Sequence, residues 1–169
     1  MIVHKTGDLL ESNCDYICHQ VNCQGKMNSG VAKAVRKKWP VVYEKYVAKC
    51  EETKKEAAEF YGSNEFAVGA SELLLGDIQI IQLNNEKNQR VINMFSQLGY
   101  GYDAKRYTSY DAFWLCLGQI SAAVPKGSTI AFPYNIGCGL GGGTWEVVYA
   151  MINAVLGKEY TVYIFSLEE

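Results

Sequence analysis

A single α/β sandwich is the fold class that the sequence predicts, and three observations predict it. Short apolar runs alternate with amphipathic segments of helical period. Gly, Asn and Ser mark the junctions where a strand gives way to a helix. No repeat, linker or low-complexity tract interrupts the 169 residues, 49% of them apolar, which suffices for one domain over residues 1–169 with an ordinary core.

The elements follow in order. "IVHK" (2–5) and "YICHQV" (16–21) read as short strands. "SGVAKAVRKKW" places Val31, Val35 and Trp39 on one helical face, with Lys33, Arg36 and Lys37 elsewhere. Pro40 suits the first turn of a second helix over 41–59, because its missing N–H has no bond to lose there, and Gly62 marks the end of that helix. "FAVG" (66–69), "SELLLGD" (71–77), "IQIIQL" (78–83) and "RVINMF" (90–95) fit strands of one sheet, with "NNEKNQ" as a polar turn. A helix over 106–124, the strand "STIAFPY" (128–134), a helix from Thr144 to Leu156 and the strand "YTVYIFSL" (160–167) complete the chain.

A formal net charge of −2 excludes the broad basic field that grips nucleic acid backbones or anionic membranes unselectively, and leaves a small polar ligand open. Cys14, Cys18, Cys23, Cys50, Cys116 and Cys138 form no CxxC pair, and only His4 and His19 offer imidazole. Reduced, mostly buried thiols of a cytoplasmic protein are expected rather than a metal site, and nothing visible calls for a cofactor. "MIVHKTGDLLES" meets charge too early for a signal peptide, and no apolar run approaches a membrane span. The expectation is a monomer without a membrane partner.

The segment "NIGCGLGGGTWE" (135–146) carries Gly137, Gly139, Gly141, Gly142 and Gly143, although each glycine costs folding roughly 0.5–1 kcal/mol in chain entropy. It lies between a strand and a helix that Thr144 is placed to cap, with Glu146 in the first turn, so free amides and the helix dipole make an anion site suited to phosphate. Two named motifs fit poorly. Gly137, Gly139 and Gly142 match GxGxxG but lack an acidic residue ending a strand about twenty positions on, and Gly143 stands where a Walker A lysine would precede Thr144. A tight structural turn is the remaining alternative. A second loop, "NCQGKMNSG" (22–30), again joins strand to helix, with Asn28 or Ser29 as cap, and two such loops suit a diphosphate better than one phosphate.

With "TGDLL", "VNCQGKMNSGVAKAV" and "IGCGLGGGTWEVV" in this order, nearly the whole chain resembles a macrodomain, the ADP-ribose-binding α/β/α module. It is similar to the ADP-ribose 1''-phosphate phosphatases and the terminal ADP-ribose protein glycohydrolase. The resemblance implies a three-layer α/β/α sandwich with a mixed six- or seven-stranded sheet. It implies that Asp8 accepts from the adenine amino group, with Leu9 in backbone contact; as a residue type, Asp8 equally suits a turn or helix cap. Asn22, Gln24, Gly25, Ser29, Gly30 and Val31 would face the distal ribose. Pro133, Ile136, Gly137, Cys138, Gly139, Leu140, Gly141 and Gly142 would surround the diphosphate, so that a side chain at 141 would enter its site.

The chain departs from the glycohydrolase pattern where its chemistry resides. Gln97 stands where that pattern has Lys, Gly141 where it has Asp, and Asn28 replaces a glycine of the first loop. Asn22 is the catalytic candidate, able to orient a water or the distal ribose although a neutral amide is too weak a base alone. His19, on a core strand, reads as a satisfied core histidine before a base. Ser96, Gln97, Tyr100 and Tyr102 border the expected cleft; Lys105 or Arg106 offers either a phosphate contact or a solvated loop. The implied function is binding of ADP-ribose and its derivatives with hydrolysis of the distal substituent, foremost the phosphate of ADP-ribose 1''-phosphate. The alternatives are a non-catalytic ADP-ribose-binding module and a hydrolase of ADP-ribosylated protein or nucleic acid.

Overall fold

The computed structural model describes residues 1–62 and 70–167. Six strands, β1 (Ile2–Thr6), β2 (Tyr16–Asn22), β3 (Ile78–Gln82), β4 (Arg90–Gln97), β5 (Thr129–Pro133) and β6 (Thr161–Ser166), form one sheet in the order β1-β6-β5-β2-β4-β3. Every neighbouring pair is parallel except β3 with β4, so the sheet is mixed as expected. Four α-helices, α1 (Gly30–Lys38), α2 (Pro40–Tyr61), α3 (Tyr110–Ala123) and α4 (Trp145–Leu156), supply the outer layers.

The alternation of side chains across each strand explains the three layers. On β2, Tyr16 and Cys18 join Ile92, Met94, Phe113, Leu117 and Ile152 beneath α3 and α4. Ile17 and Val21 point the other way and join Val35, Val42, Tyr46 and Phe95 beneath α1 and α2. Both faces of the central strands are covered, and β2 and β4 are accordingly buried along almost their whole length. All six cysteines are free thiols, and five are buried.

Three expectations need correction. "SELLLGD" is no strand: Ala70–Leu74 forms a 3-10 turn, closed by Leu75 N–H to Glu72 C=O (3.2 Å) and Asp77 N–H to Leu74 C=O (2.9 Å). Its burial has helical spacing, with Ala70, Ser71 and Leu74 inside and Leu73 outside. The expected helix over 106–124 begins at Tyr110, capped by Ser109 Oγ accepting from Ala112 N–H (3.1 Å). Residues 106–108 are withheld from it because Tyr107 and Thr108 N–H both donate to Gly141 C=O (2.8 and 3.0 Å). Val31 does not share the buried face of Val35; it is exposed. "FAVG" lies outside the described residues.

Among the described residues no helix is long and apolar enough to cross a membrane, and no cluster of His, Cys, Asp and Glu is placed to hold a metal ion.

Candidate functional site

The topology fixes where a ligand can sit. From β2 the chain proceeds through α1 and α2 toward the β4-β3 edge; from β5 it proceeds through α4 to β6 on the other side. Adjacent parallel strands whose connections diverge leave a crevice at their C-terminal ends. A cleft of about 450 Å3 lies there, between the loops that follow β2 and β5, within the range of roughly 300–1,000 Å3 usual for small-molecule sites.

One wall is the loop after β5. Gly137, Gly139, Leu140 and Gly141 line the cleft, and their N–H groups donate no hydrogen bond among the described residues. The neighbouring amides are occupied: Cys138 N–H binds Asn135 C=O (2.9 Å), Gly142 N–H binds Gly139 C=O (3.0 Å) and Gly143 N–H binds Gly137 C=O (2.9 Å). Backbone amides without partners beside a cleft form an anion-binding nest. The nest does not rely on α4. Thr144 stands at the N-cap but its hydroxyl caps nothing, so the expected threonine cap is not made; its own N–H donates to Tyr110 Oη (2.9 Å).

The glycines serve packing as much as ligand approach. A Cβ on Gly141 would lie 2.5 Å from Thr108 Oγ1 and 2.7 Å from Gly137 C=O. One on Gly142 would lie 2.7 Å from Lys105 C=O, and one on Gly143 2.8 Å from Gly137 C=O. A side chain at 141 therefore drives into the protein, not into the cleft as expected from the sequence. Of the five glycines in this loop, Gly139 alone would meet nothing within 4 Å. The loop is pressed onto a polar cluster in which Gln20 Nε2 donates to Gln97 Oε1 (2.7 Å) and Thr108 Oγ1 (2.9 Å), Ser96 Oγ donates to Gln20 Oε1 (2.6 Å), and Thr108 Oγ1 donates to Gly137 C=O (2.6 Å).

The opposite wall is the loop after β2. Pairing with β4 jumps from Val21 with Phe95 to Asn22 with Gln97, setting those two residues side by side at the C-terminal ends of the strands. Asn22 lines the cleft, but its Oδ1 accepts from Gln24 N–H (2.9 Å), Lys26 N–H (3.4 Å) and Tyr46 Oη–H (2.7 Å), and its Nδ2 donates to Lys26 C=O (2.8 Å). One Nδ2 hydrogen is left for a ligand. Buried Tyr46 organises this loop from α2, for Gly25 N–H donates to its hydroxyl (3.1 Å), and burial holds that phenol well above its ordinary range. Ser29, Gly30, Val31 and Ala32, at the start of α1, complete the wall; the first amides of a helix lack intrahelical partners. Ser29 stands at the N-cap without a side-chain cap bond; its hydroxyl is paired with that of Tyr102.

The remaining candidates divide. Pro133 and Ile136 line the cleft beside the nest. Cys138 turns into the α3/α4 core, with its thiol pushed up to about 11 by burial. Gln24 braces the loop through Leu98 C=O (3.0 Å). Leu9 is buried, and exposed Asp8 caps the turn Leu9–Glu11 by accepting from Leu10 N–H with Oδ1 (2.9 Å). That is the cap role its residue type suggested, and its second oxygen has no partner among the described residues.

His19 is fully buried, with Nε2 at 2.5 Å from Asn93 Oδ1. Asn93 Nδ2 donates in turn to Gln79 Oε1 (3.0 Å), so Oδ1 is the acceptor and His19 carries its proton on Nε2. Burial lowers the imidazole to about 4, and the Asn93 bond opposes this only in part. It is a core histidine outside the cleft lining, but not the satisfied one expected: its buried Nδ1 has no partner among the described residues.

Tyr134, Asn135, Gln20 and Lys26 also line the cleft and were not singled out from the sequence. For Tyr134 a signal existed: an aromatic residue directly after a strand-ending proline, half exposed and in edge contact with Trp145 at a centroid distance of 4.9 Å. No Asp, Glu, His or Cys lines the cleft, and Lys26 is its one cationic lining residue among the described residues.

Comparison with solved structures places this architecture among known ones. The macrodomain of Thermus aquaticus DarG matches with a TM-score of 0.74 at 20% identity, over 98% of both chains. A Thermosipho africanus DarTG, solved in complex with ADP-ribose, matches with a TM-score of 0.72 at 19% identity over 98% of this chain and 42% of its own. A Bacteroides thetaiotaomicron protein of unknown function matches with a TM-score of 0.71 at 27% identity, over 98% of this chain and 97% of its own. Sequence comparison with curated proteins finds no match. The family model of the Macro domain matches residues 18–152, from the central strand β2 into α4 and across both cleft loops, and the chain therefore belongs to the macrodomain family.

Proposed function

We propose that this macrodomain binds ADP-ribose in the cleft between the β2 and β5 loops. The observation that carries the reading is the row of amides at Gly137, Gly139, Leu140 and Gly141, unpartnered among the described residues, a neutral cradle for a diphosphate in a chain of formal net charge −2. The diphosphate lies on that row. Asp8, on the β1-β6 side, receives the adenine amino group on its second carboxylate oxygen. The distal ribose extends to the β4 side, beside Asn22 and Gln97. That the similar Thermosipho africanus DarTG was solved in complex with ADP-ribose supports ADP-ribose as the ligand.

A second reading, removal of phosphate from ADP-ribose 1''-phosphate, is favoured by Lys26 and the N-terminus of α1 at the distal end, where a further anion is accommodated. Water would attack phosphorus, the bond from phosphorus to the C1'' oxygen would break, and ADP-ribose and inorganic phosphate would result. With no carboxylate or imidazole in the lining, the water's proton passes to an oxygen of the substrate phosphate and from there to the departing C1'' oxygen, and Asn22 orients the group with its free Nδ2 hydrogen. The covalent route through Lys and Asp has neither residue here.

Calorimetry with ADP-ribose tests the first reading: absence of binding refutes it. Chromatography of products from ADP-ribose 1''-phosphate tests the second, with Asn22→Ala expected to slow turnover on the order of a hundredfold while changing ADP-ribose affinity far less. Normal turnover in that variant would remove Asn22 from the chemistry.

A further inference from the structure

The segment between β4 and α3 crosses the distal end of the cleft as a braced strap. At its start, Leu98 C=O accepts from Cys23 N–H (3.1 Å) and Gln24 Nε2 (3.0 Å), and Gln97 Nε2 donates to Gly99 C=O (2.7 Å). At its end, Tyr107 and Thr108 are tied to Gly141. In between, Tyr107 lies back across the strap and donates to Asp103 Oδ1 (2.8 Å), so close to Gly101 that a Cβ there would stand 2.9 Å from its Cζ. This bracing presents Tyr100 and Tyr102 to the cleft, and the Tyr102 hydroxyl meets the hydroxyl of Ser29 on the opposite loop.

We propose that the Tyr102–Ser29 bridge is a specificity-determining contact that admits ADP-ribose derivatives with a small distal group and discriminates against ADP-ribose attached to a macromolecule. The inference rests on the ADP-ribose reading above, which directs the distal ribose toward β4. β4 lies on the far side of β2 from β5, β6 and β1, so the adenine end and the strap end are opposite ends of the cleft. A substituent on C1'' leaves the ligand at the strap end. A hydroxyl or phosphate fits beneath the bridge. A polypeptide or polynucleotide has to pass between Tyr102 and Ser29, which separates the two hydroxyls and displaces a tyrosine held by the strap.

The test measures affinity for ADP-ribose and for a synthetic peptide bearing one ADP-ribose through C1'', in the parent, Tyr102→Phe, Tyr102→Ala and Gly101→Ala. Gly101 does not line the cleft, and its substitution loosens the strap by displacing Tyr107. The parent is expected to bind the peptide about tenfold more weakly than ADP-ribose, the equivalent of breaking one hydrogen bond. Tyr102→Phe and Gly101→Ala narrow that ratio, and Tyr102→Ala abolishes it. Equal affinities in the parent, or a ratio that Tyr102→Ala leaves unchanged, overturn the gate while ADP-ribose binding stands. A parent that binds neither ligand overturns the ADP-ribose reading and the gate together.

Discussion

Replacing Gly141 by alanine separates what the glycine loop owes to its ligand from what it owes to its own packing. The backbone of Gly141 is outside the left-handed region, so the cost is one of contact and not of φ. The new methyl group would sit 2.5 Å from Thr108 Oγ1, 2.7 Å from Gly137 C=O and 3.1 Å from Gln20 Nε2. Two of these obstacles are backbone or short side chain, with little freedom to retreat. Relief requires Thr108 to move, which breaks its bond to Gly137 C=O (2.6 Å) and weakens that from Gln20 (2.9 Å). Overpacking of this kind costs about 1–3 kcal/mol, as does leaving a buried polar group unpaired. Taking about 2 kcal/mol for the two together, thermal unfolding of a chain of this length should fall by roughly 4–8 °C. Gly139→Ala is the control: its methyl meets nothing within 4 Å, so the melting temperature should hold. Differential scanning calorimetry of both variants, followed by titration with ADP-ribose, measures the two effects. If Gly141→Ala melts with the parent yet loses ADP-ribose, the reasoning is refuted and the glycine serves the ligand alone.

Asp8→Ala should lower ADP-ribose affinity by about 1–3 kcal/mol, read by calorimetry, because an adenine donor loses its acceptor; an unchanged affinity would place adenine elsewhere. His19 makes folding stability depend on acid. Its folded pKa of about 4 lies below the ordinary 6.5, so the unfolded chain takes up the proton first, and stability present above pH 6.5 is lost as the pH falls toward 4. At about 1.36 kcal/mol per pKa unit, His19 accounts for about 3 kcal/mol across that window, and urea unfolding of His19→Gln should show a correspondingly flatter pH dependence.

The layered α/β class, most strands and helices, and the two loops that frame the cleft are legible in the amino-acid order alone. Those are local properties. The periods of β4 and α4, Pro40 opening α2 and Gly62 closing it at φ 67° are written in short windows of residues. The run "SELLLGD" misled because three successive leucines carry no period, and only packing decided that Leu73 faces outward while Leu74 is buried. Motif resemblance located the nest but not the reason for its glycines, since the groups that crowd Gly141 and Gly142, Thr108 and Lys105, are more than thirty residues earlier in the chain. Asn22 was legible as a cleft residue; that Tyr46 and two backbone amides occupy its oxygen was not, because the tyrosine arrives from a different layer of the fold. The contact between Ser29 and Tyr102 likewise joins loops that follow different strands, and sheet order alone sets them face to face. Sequence fixes which backbone is free to bind; the order of strands decides which side chains stand over it, because that order brings together residues with no local reason to meet.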